Sequence, residues 1–112
     1  MKFSDIVLQC RSIKSYLTDK EISDAELKEL MQEVVLSPSS FNLQHWTFIA
    51  VRDNRLREKI QAVAWGQEQV MTCSVLLVVC GKLDAYQDAS EIYKNTPVGI
   101  QEKVLPIIKD FY

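Results

Sequence analysis

Leu27, Leu30, Met31, Val34 and Val35 recur at the i, i+3, i+4, i+7 and i+8 spacing of one helix face. Just ahead of them, Ser23-Asp24-Ala25-Glu26 has the form of a capping box, with Ser23 able to bond the third-turn-position amide and Glu26 to reach back. Pro38 marks the end of this helix, because the residue before a proline avoids the helical region. The stripe calls for a broad packing partner, and a sheet face is the natural one. Upstream, Phe3, Ile6, Val7 and Leu8 predict a short amphipathic helix over 3–10, with Ser4 as its cap.

Downstream, Trp46 to Val51 is rich in aromatic and β-branched residues and predicts a strand. Leu56, Ile60, Val63 and Ala64 mark another helix, Trp65 to Gln69 interrupts it, and Val70 to Cys73 resumes a short helical segment. Val75 to Cys80 is an unbroken apolar run between Ser74 and Gly81, the pattern of a strand covered on both faces. Tyr86, Ala89, Ile92 and Tyr93 predict a helix over 84–94, which Asn95-Thr96-Pro97 stops. Residues 98–112 are again helical in period, with Pro106 predicting a kink or a new start. Repeats and linkers are absent, so the expectation is one domain over residues 1–112. Two strands among about five helices leave sheet edges open, and a two-stranded sheet is marginal alone. Further strands are expected from another chain or from a longer fold of which this chain is the N-terminal part.

Composition narrows the partners. The 112 residues are 47% apolar and 25% charged, an ordinary globular balance. A net charge of -2, a pI near 5.4 and no Lys/Arg run argue against nucleic acid as a partner. Cys10, Cys73 and Cys80 are odd in number and lack CxxC spacing, which fits reduced thiols better than a disulfide framework. Neither a secretory signal nor a membrane-spanning run is expected, so the anticipated location is the cytoplasm.

Candidate chemistry concentrates in two places. Leu36 to Trp46 lies between a helix and a strand, yet sets Asn42, Gln44 and His45 among bulky apolar residues, a mix suited to a flat, hydrogen-bonding ligand. Arg11-Ser12-Ile13-Lys14-Ser15-Tyr16 puts two cations around a serine, either facing an anion or forming a solvated turn. His45 is the lone histidine and reads as a polar loop residue, so no metal site is expected. Trp46 and Trp65 read as packing residues, and Asp84, Asp88 and Glu91 as a solvated face. No acid–base pair or nucleophile constellation emerges, so no catalytic residue is assigned. Three glycines argue against a Gly-rich dinucleotide loop.

Pro38-Ser39-Ser40-Phe41-Asn42-Leu43-Gln44-His45-Trp46, followed by an apolar strand, resembles the signature of the flavin-dependent nitroreductase family. Arg11-Ser12-Ile13-Lys14 looks like the family's early basic-serine-basic motif, and Trp65 to Val70 like its Gln-containing segment before the second strand. The resemblance implies an α+β nitroreductase-like fold, helices around a small central sheet, in a homodimer with FMN at the interface. It further implies that Arg11, Ser12 and Lys14 contact the FMN phosphate and ribityl chain. Pro38, Ser39, Ser40, Asn42 and Gln44 would meet the isoalloxazine and ribityl of the partner's flavin, and Gln67 and Gln69 would lie near flavin or substrate. Cations and hydroxyl donors suit a phosphate dianion, while Asn and Gln amides supply both donors and acceptors. Two positions depart from the family pattern: Cys10 stands where an arginine is common, and His45 where proline is common. Family members are longer, so the resemblance also implies an incomplete fold lacking its C-terminal half. The activity implied is an NAD(P)H oxidoreductase reducing nitroaromatic or quinone-like acceptors by a ping-pong mechanism. The alternative is a non-catalytic remnant or interaction module without flavin.

Overall fold

Ser23 closes its capping box as the spacing predicts: its amide donates to Glu26 Oε2 at 2.8 Å, and the Glu26 amide donates to Ser23 Oγ at 3.3 Å. The hydrogen bond from the Ser23 hydroxyl, then that from its amide, holds the Glu26 carboxyl below the ordinary carboxylate value. The computed structural model describes residues 2–111. Its helices are α1 (Phe3–Gln9), α2 (Asp24–Val34), α3 (Asn54–Val63), α4 (Gln69–Thr72), α5 (Ala89–Ile92) and α6 (Val98–Phe111), with strands β1 (Trp46–Val51) and β2 (Leu76–Gly81). The architecture is α+β, helix-rich with a two-stranded sheet. The Lys82 amide donates to the His45 carbonyl at 3.0 Å, which sets the end of β2 beside the start of β1 and makes the pair antiparallel.

The described residues fall into two compact units, 2–22 with 50–76 and 23–49 with 77–111. In the first, the buried apolar residues are Val51 and Val70, and the buried polar residue is Arg57. Its guanidinium spends every N–H on backbone carbonyls: Nε and Nη2 on Val51, Nη2 also on Ser74, and Nη1 on Cys73 and Met71. One side chain thus joins the end of β1 to the α4–β2 connection. In the second unit, Leu43, Ala85, Ala89 and Ile108 form the buried core, with Phe41, Tyr86, Ile92, Tyr93, Val104 and Leu105 packed on it.

Four local expectations change. Ser4 does not cap α1; Lys2 precedes the helix and donates its amide to Asp5 Oδ2 at 3.0 Å, so the helix starts before Ser4 can act as cap. Residues 84–94 are not one helix: Ala85–Asp88 is a 3-10 turn and α5 follows it. Asp84 supplies no side-chain cap, and the orphan amides are met by tighter i→i+3 closure. Pro106 does not force a new start: α6 runs from Val98 to Phe111 through it, with Val104, Leu105 and Ile108 packed on the core to either side. β2 is not covered on both faces within this chain: Val79 is 67% exposed and no β2 residue is buried. Among the described residues, no helix is long and apolar enough to cross a membrane.

Candidate functional site

The polar stretch after α2 is built on left-handed backbone. Ser40–Asn42 forms a single 3-10 turn in which Phe41 (φ 51°) and Asn42 (φ 53°) both occupy the positive-φ region, and Gln44 (φ 50°) does so again. Asparagine tolerates that region, but phenylalanine is held there against a cost of about 1–3 kcal/mol. Three contacts hold it. Leu43 is buried in the core at 3% exposure, the Tyr93 hydroxyl donates to the Phe41 carbonyl at 2.8 Å, and Ser39 Oγ accepts the Gln44 amide at 2.9 Å. The rings of Phe41 and Phe111 add an edge contact at 6.3 Å.

With Leu43 turned inward, Pro38, Ser40, Asn42 and Gln44 are exposed and Ser39 is half-buried. The Gln44 side-chain amide lies 3.5 Å from Asn42 Oδ1, so the two amides share one face of the turn. The result is a preformed polar surface with small hydroxyls beside paired amides, its backbone fixed from below. That donor and acceptor set fits the edge of a flat, hydrogen-bonding ring system such as FMN carries.

Arg11, Ser12 and Lys14 lie in an exposed segment without regular structure after α1. Arg11 Nη1 donates to the Leu8 and Cys10 carbonyls at 2.9 and 2.7 Å, closing the last turn of α1 and leaving Nε and Nη2 outside those bonds. Arg11, Ser12 and Lys14 all stay exposed, two cations and a hydroxyl of the kind that suits phosphate. Gln67 is exposed and Gln69 half-buried at the start of α4. They follow a tight turn in which Trp65 (φ 55°) and Gly66 (φ 69°) are both left-handed. Gln61 Nε2 tethers that turn through the carbonyls of Gly66 and Gln67, at 3.4 and 3.2 Å. Arg11, Ser12, Lys14, Gln67 and Gln69 belong to the first unit, and Pro38 to Gln44 to the second.

Trp65 is not a packing residue here: it is 92% exposed, on a turn whose backbone is left-handed at Trp65 and Gly66. Trp46 is half-buried and packs near Phe48, with ring centroids 6.3 Å apart. The solvated acidic face is paired in part, Asp88 with Lys82 and Glu91 with Lys94. The Asp88 hydrogen bond raises the Lys82 ammonium above its ordinary value. Among the described residues no group of three or more His, Cys, Asp or Glu could hold a metal. A recess of about 560 Å³ between the 85–90 segment and α6 is lined by Tyr86, Leu105 and Ile108 among others and holds none of the predicted site residues. Tyr93 and Gln61 are supports that periodicity could not reveal, since each acts through a backbone carbonyl.

The chain belongs to the nitroreductase family, whose profile matches residues 7–94. Among curated relatives, it is 38% identical to MhqN of Bacillus subtilis over 103 residues, covering 91% of this chain and 50% of MhqN. It is 36% identical to the oxygen-insensitive NADPH nitroreductase of Helicobacter pylori over 87 residues, covering 71% of this chain and 41% of that enzyme. An Exiguobacterium sibiricum protein solved in complex with FMN superposes with a TM-score of 0.83 at 28% identity, over 100% of this chain and 57% of that one. The chain spans about half the length of the curated relatives it matches.

Proposed function

We propose that the chain serves an FMN-dependent NAD(P)H oxidoreductase of the nitroreductase type, as one nitroreductase-like domain working in a homodimer. The observation that carries this reading is the anchored left-handed turn at 40–44, which spends backbone strain to present Ser40, Asn42 and Gln44 outward. Strain of this kind persists where the surrounding structure over-determines it, and clusters at ligand clamps. Membership of the nitroreductase family and the FMN complex of the Exiguobacterium sibiricum protein support the cofactor.

FMN, when bound, supplies the redox chemistry, taking hydride from a nicotinamide and passing electrons to a nitroaromatic or quinone-like acceptor in two half-reactions. The chain's own residues bind and orient it. Arg11, Ser12 and Lys14 hold the phosphate end by charge and hydroxyl donation, Pro38, Ser39, Ser40, Asn42 and Gln44 border the ring and ribityl, and Gln67 and Gln69 flank flavin or substrate. This division explains the absence of an acid–base pair in the sequence, since the cofactor carries the chemistry and the protein the positioning.

The test is a titration of the purified full chain with FMN, followed by flavin absorption and fluorescence. Saturable binding near one flavin per chain supports the reading. A colourless protein that takes up no added FMN overturns it and leaves the non-catalytic interaction module.

A further inference from the structure

Among the described residues, two aromatic side chains stand on left-handed backbone, Phe41 at φ 51° and Trp65 at φ 55°. A bulky residue in that region is an outlier and strains the chain. Phe41 offsets its strain by packing on the core of the second unit. Trp65 has no such burial: it is 92% exposed, although a tryptophan ordinarily stabilises a fold by withdrawing its large ring from water.

The strained backbone is nevertheless held on several sides. The Gly66 amide donates to the Gln61 carbonyl at 2.9 Å and the Gln67 amide to the Ala64 carbonyl at 3.2 Å. Gln61 Nε2 braces the Gly66 and Gln67 carbonyls in return. The indole therefore springs from a fixed turn, which limits the entropy lost when a ligand lies on it. Space beside it is open, since a Cβ added at Gly66 would meet nothing within 4 Å. Gln67 is exposed on the same turn, and its amide brings both donors and an acceptor there.

We propose that Trp65 is a stacking platform that selects an electron-poor aromatic ring carrying a polar oxygen, the chemistry shared by a nitroaromatic acceptor and a nicotinamide. The electron-rich indole face attracts an electron-poor or cationic ring. The Gln67 amide donates to the nitro or carboxamide oxygen. Trp65 binds and orients the ring and takes no part in the redox step. The proposal rests on the flavin-dependent reading and names the part of the substrate that this chain grips.

The experiment titrates the full chain, with and without FMN, with nitrobenzamide, the N-methylnicotinamide cation and cyclohexanecarboxamide, and follows the indole N–H signals. Trp46, half-buried, is the internal control. The expected result is saturable shifts of the Trp65 indole and the Gln67 amide with the aromatic probes, and an unmoved Trp46. Binding should weaken about fivefold or more in Trp65→Asn and persist in Trp65→Phe, with FMN affinity unchanged in both. Tighter binding of nitrobenzamide assigns the ring to the acceptor, tighter binding of N-methylnicotinamide to the hydride donor, and equal binding to both. Trp65 shifts without any FMN uptake keep the platform and reject the flavin reading, whereas FMN uptake without Trp65 shifts rejects the platform alone. Cyclohexanecarboxamide binding as well as the aromatic probes, unchanged affinity in a folded Trp65→Asn variant, or a Trp65 signal that moves only with chain concentration would each overturn the proposal.

Discussion

The Tyr93 hydroxyl donates to the Phe41 carbonyl at 2.8 Å, joining residues 52 positions apart and fixing the one bulky side chain that sits in left-handed backbone before Leu43. Tyr93 follows α5, so the turn that presents Asn42 and Gln44 is set by an element far along the chain. Tyr93→Phe keeps the ring and removes the bond. It should lower stability by about 1 kcal/mol, read from the urea midpoint, and weaken FMN binding by more than the stability change alone accounts for. Unchanged FMN affinity with lowered stability would show that the bond supports the core and not the cradle.

Arg11→Ala and Lys14→Ala each remove one cation from the segment assigned to the flavin phosphate. Each should weaken FMN binding about tenfold, the scale of one charge-assisted contact, and both effects should shrink as salt rises. Comparing FMN with riboflavin isolates the phosphate contribution. A loss that is equal for the two flavins would reject the assignment.

The capping box gives α2 a pH dependence of known sign. The Glu26 carboxyl is lowered by its bonds with Ser23. Its contribution is therefore present above the ordinary carboxylate range and lost as pH falls through the folded-state value. Lys82 has the opposite sign: raised by Asp88, its contribution is complete below the ordinary lysine value and lost as pH climbs through the folded-state one. Amide shifts of Ser23 followed on acidification should track Glu26, and Glu26→Gln should flatten that titration.

Trp65 is 92% exposed at φ 55°, and Gly66 follows at φ 69° with open space around its missing Cβ. Trp65→Asn should be neutral or stabilising by up to about 1 kcal/mol, because asparagine tolerates the left-handed region. Gly66→Ala should destabilise by about 1 kcal/mol through backbone strain alone. Chemical denaturation of the two variants checks both signs.

The sequence makes some elements legible because their partners are close by. Ser23 and Glu26 are three residues apart, and the stripe on α2 repeats at helical spacing, so periodicity and capping chemistry find them. Ser39 to Gln44 stands out by composition, since exposed amides between apolar neighbours need a reason. The left-handed backbone of Phe41 does not stand out, because it is imposed by Leu43 in the core and by Tyr93. Trp65 misleads for the related reason that a large aromatic normally buries itself, and only the turn shows that it does not. Arg57 is invisible to side-chain reasoning, since every acceptor it uses is a backbone carbonyl.

The carbonyls that Arg57 gathers lie 6, 14, 16 and 17 positions away along the chain. Closing loops that short takes little chain entropy, so these bonds can form before more distant pairings are made. That makes β1's end, α3 and the α4–β2 connection a natural early-forming nucleus. Arg57→Lys keeps the charge and abandons most of the bonds, and in stopped-flow refolding it should slow folding more than it speeds unfolding. The buried guanidinium would then set the order in which the chain assembles as well as the place where its strands begin and end.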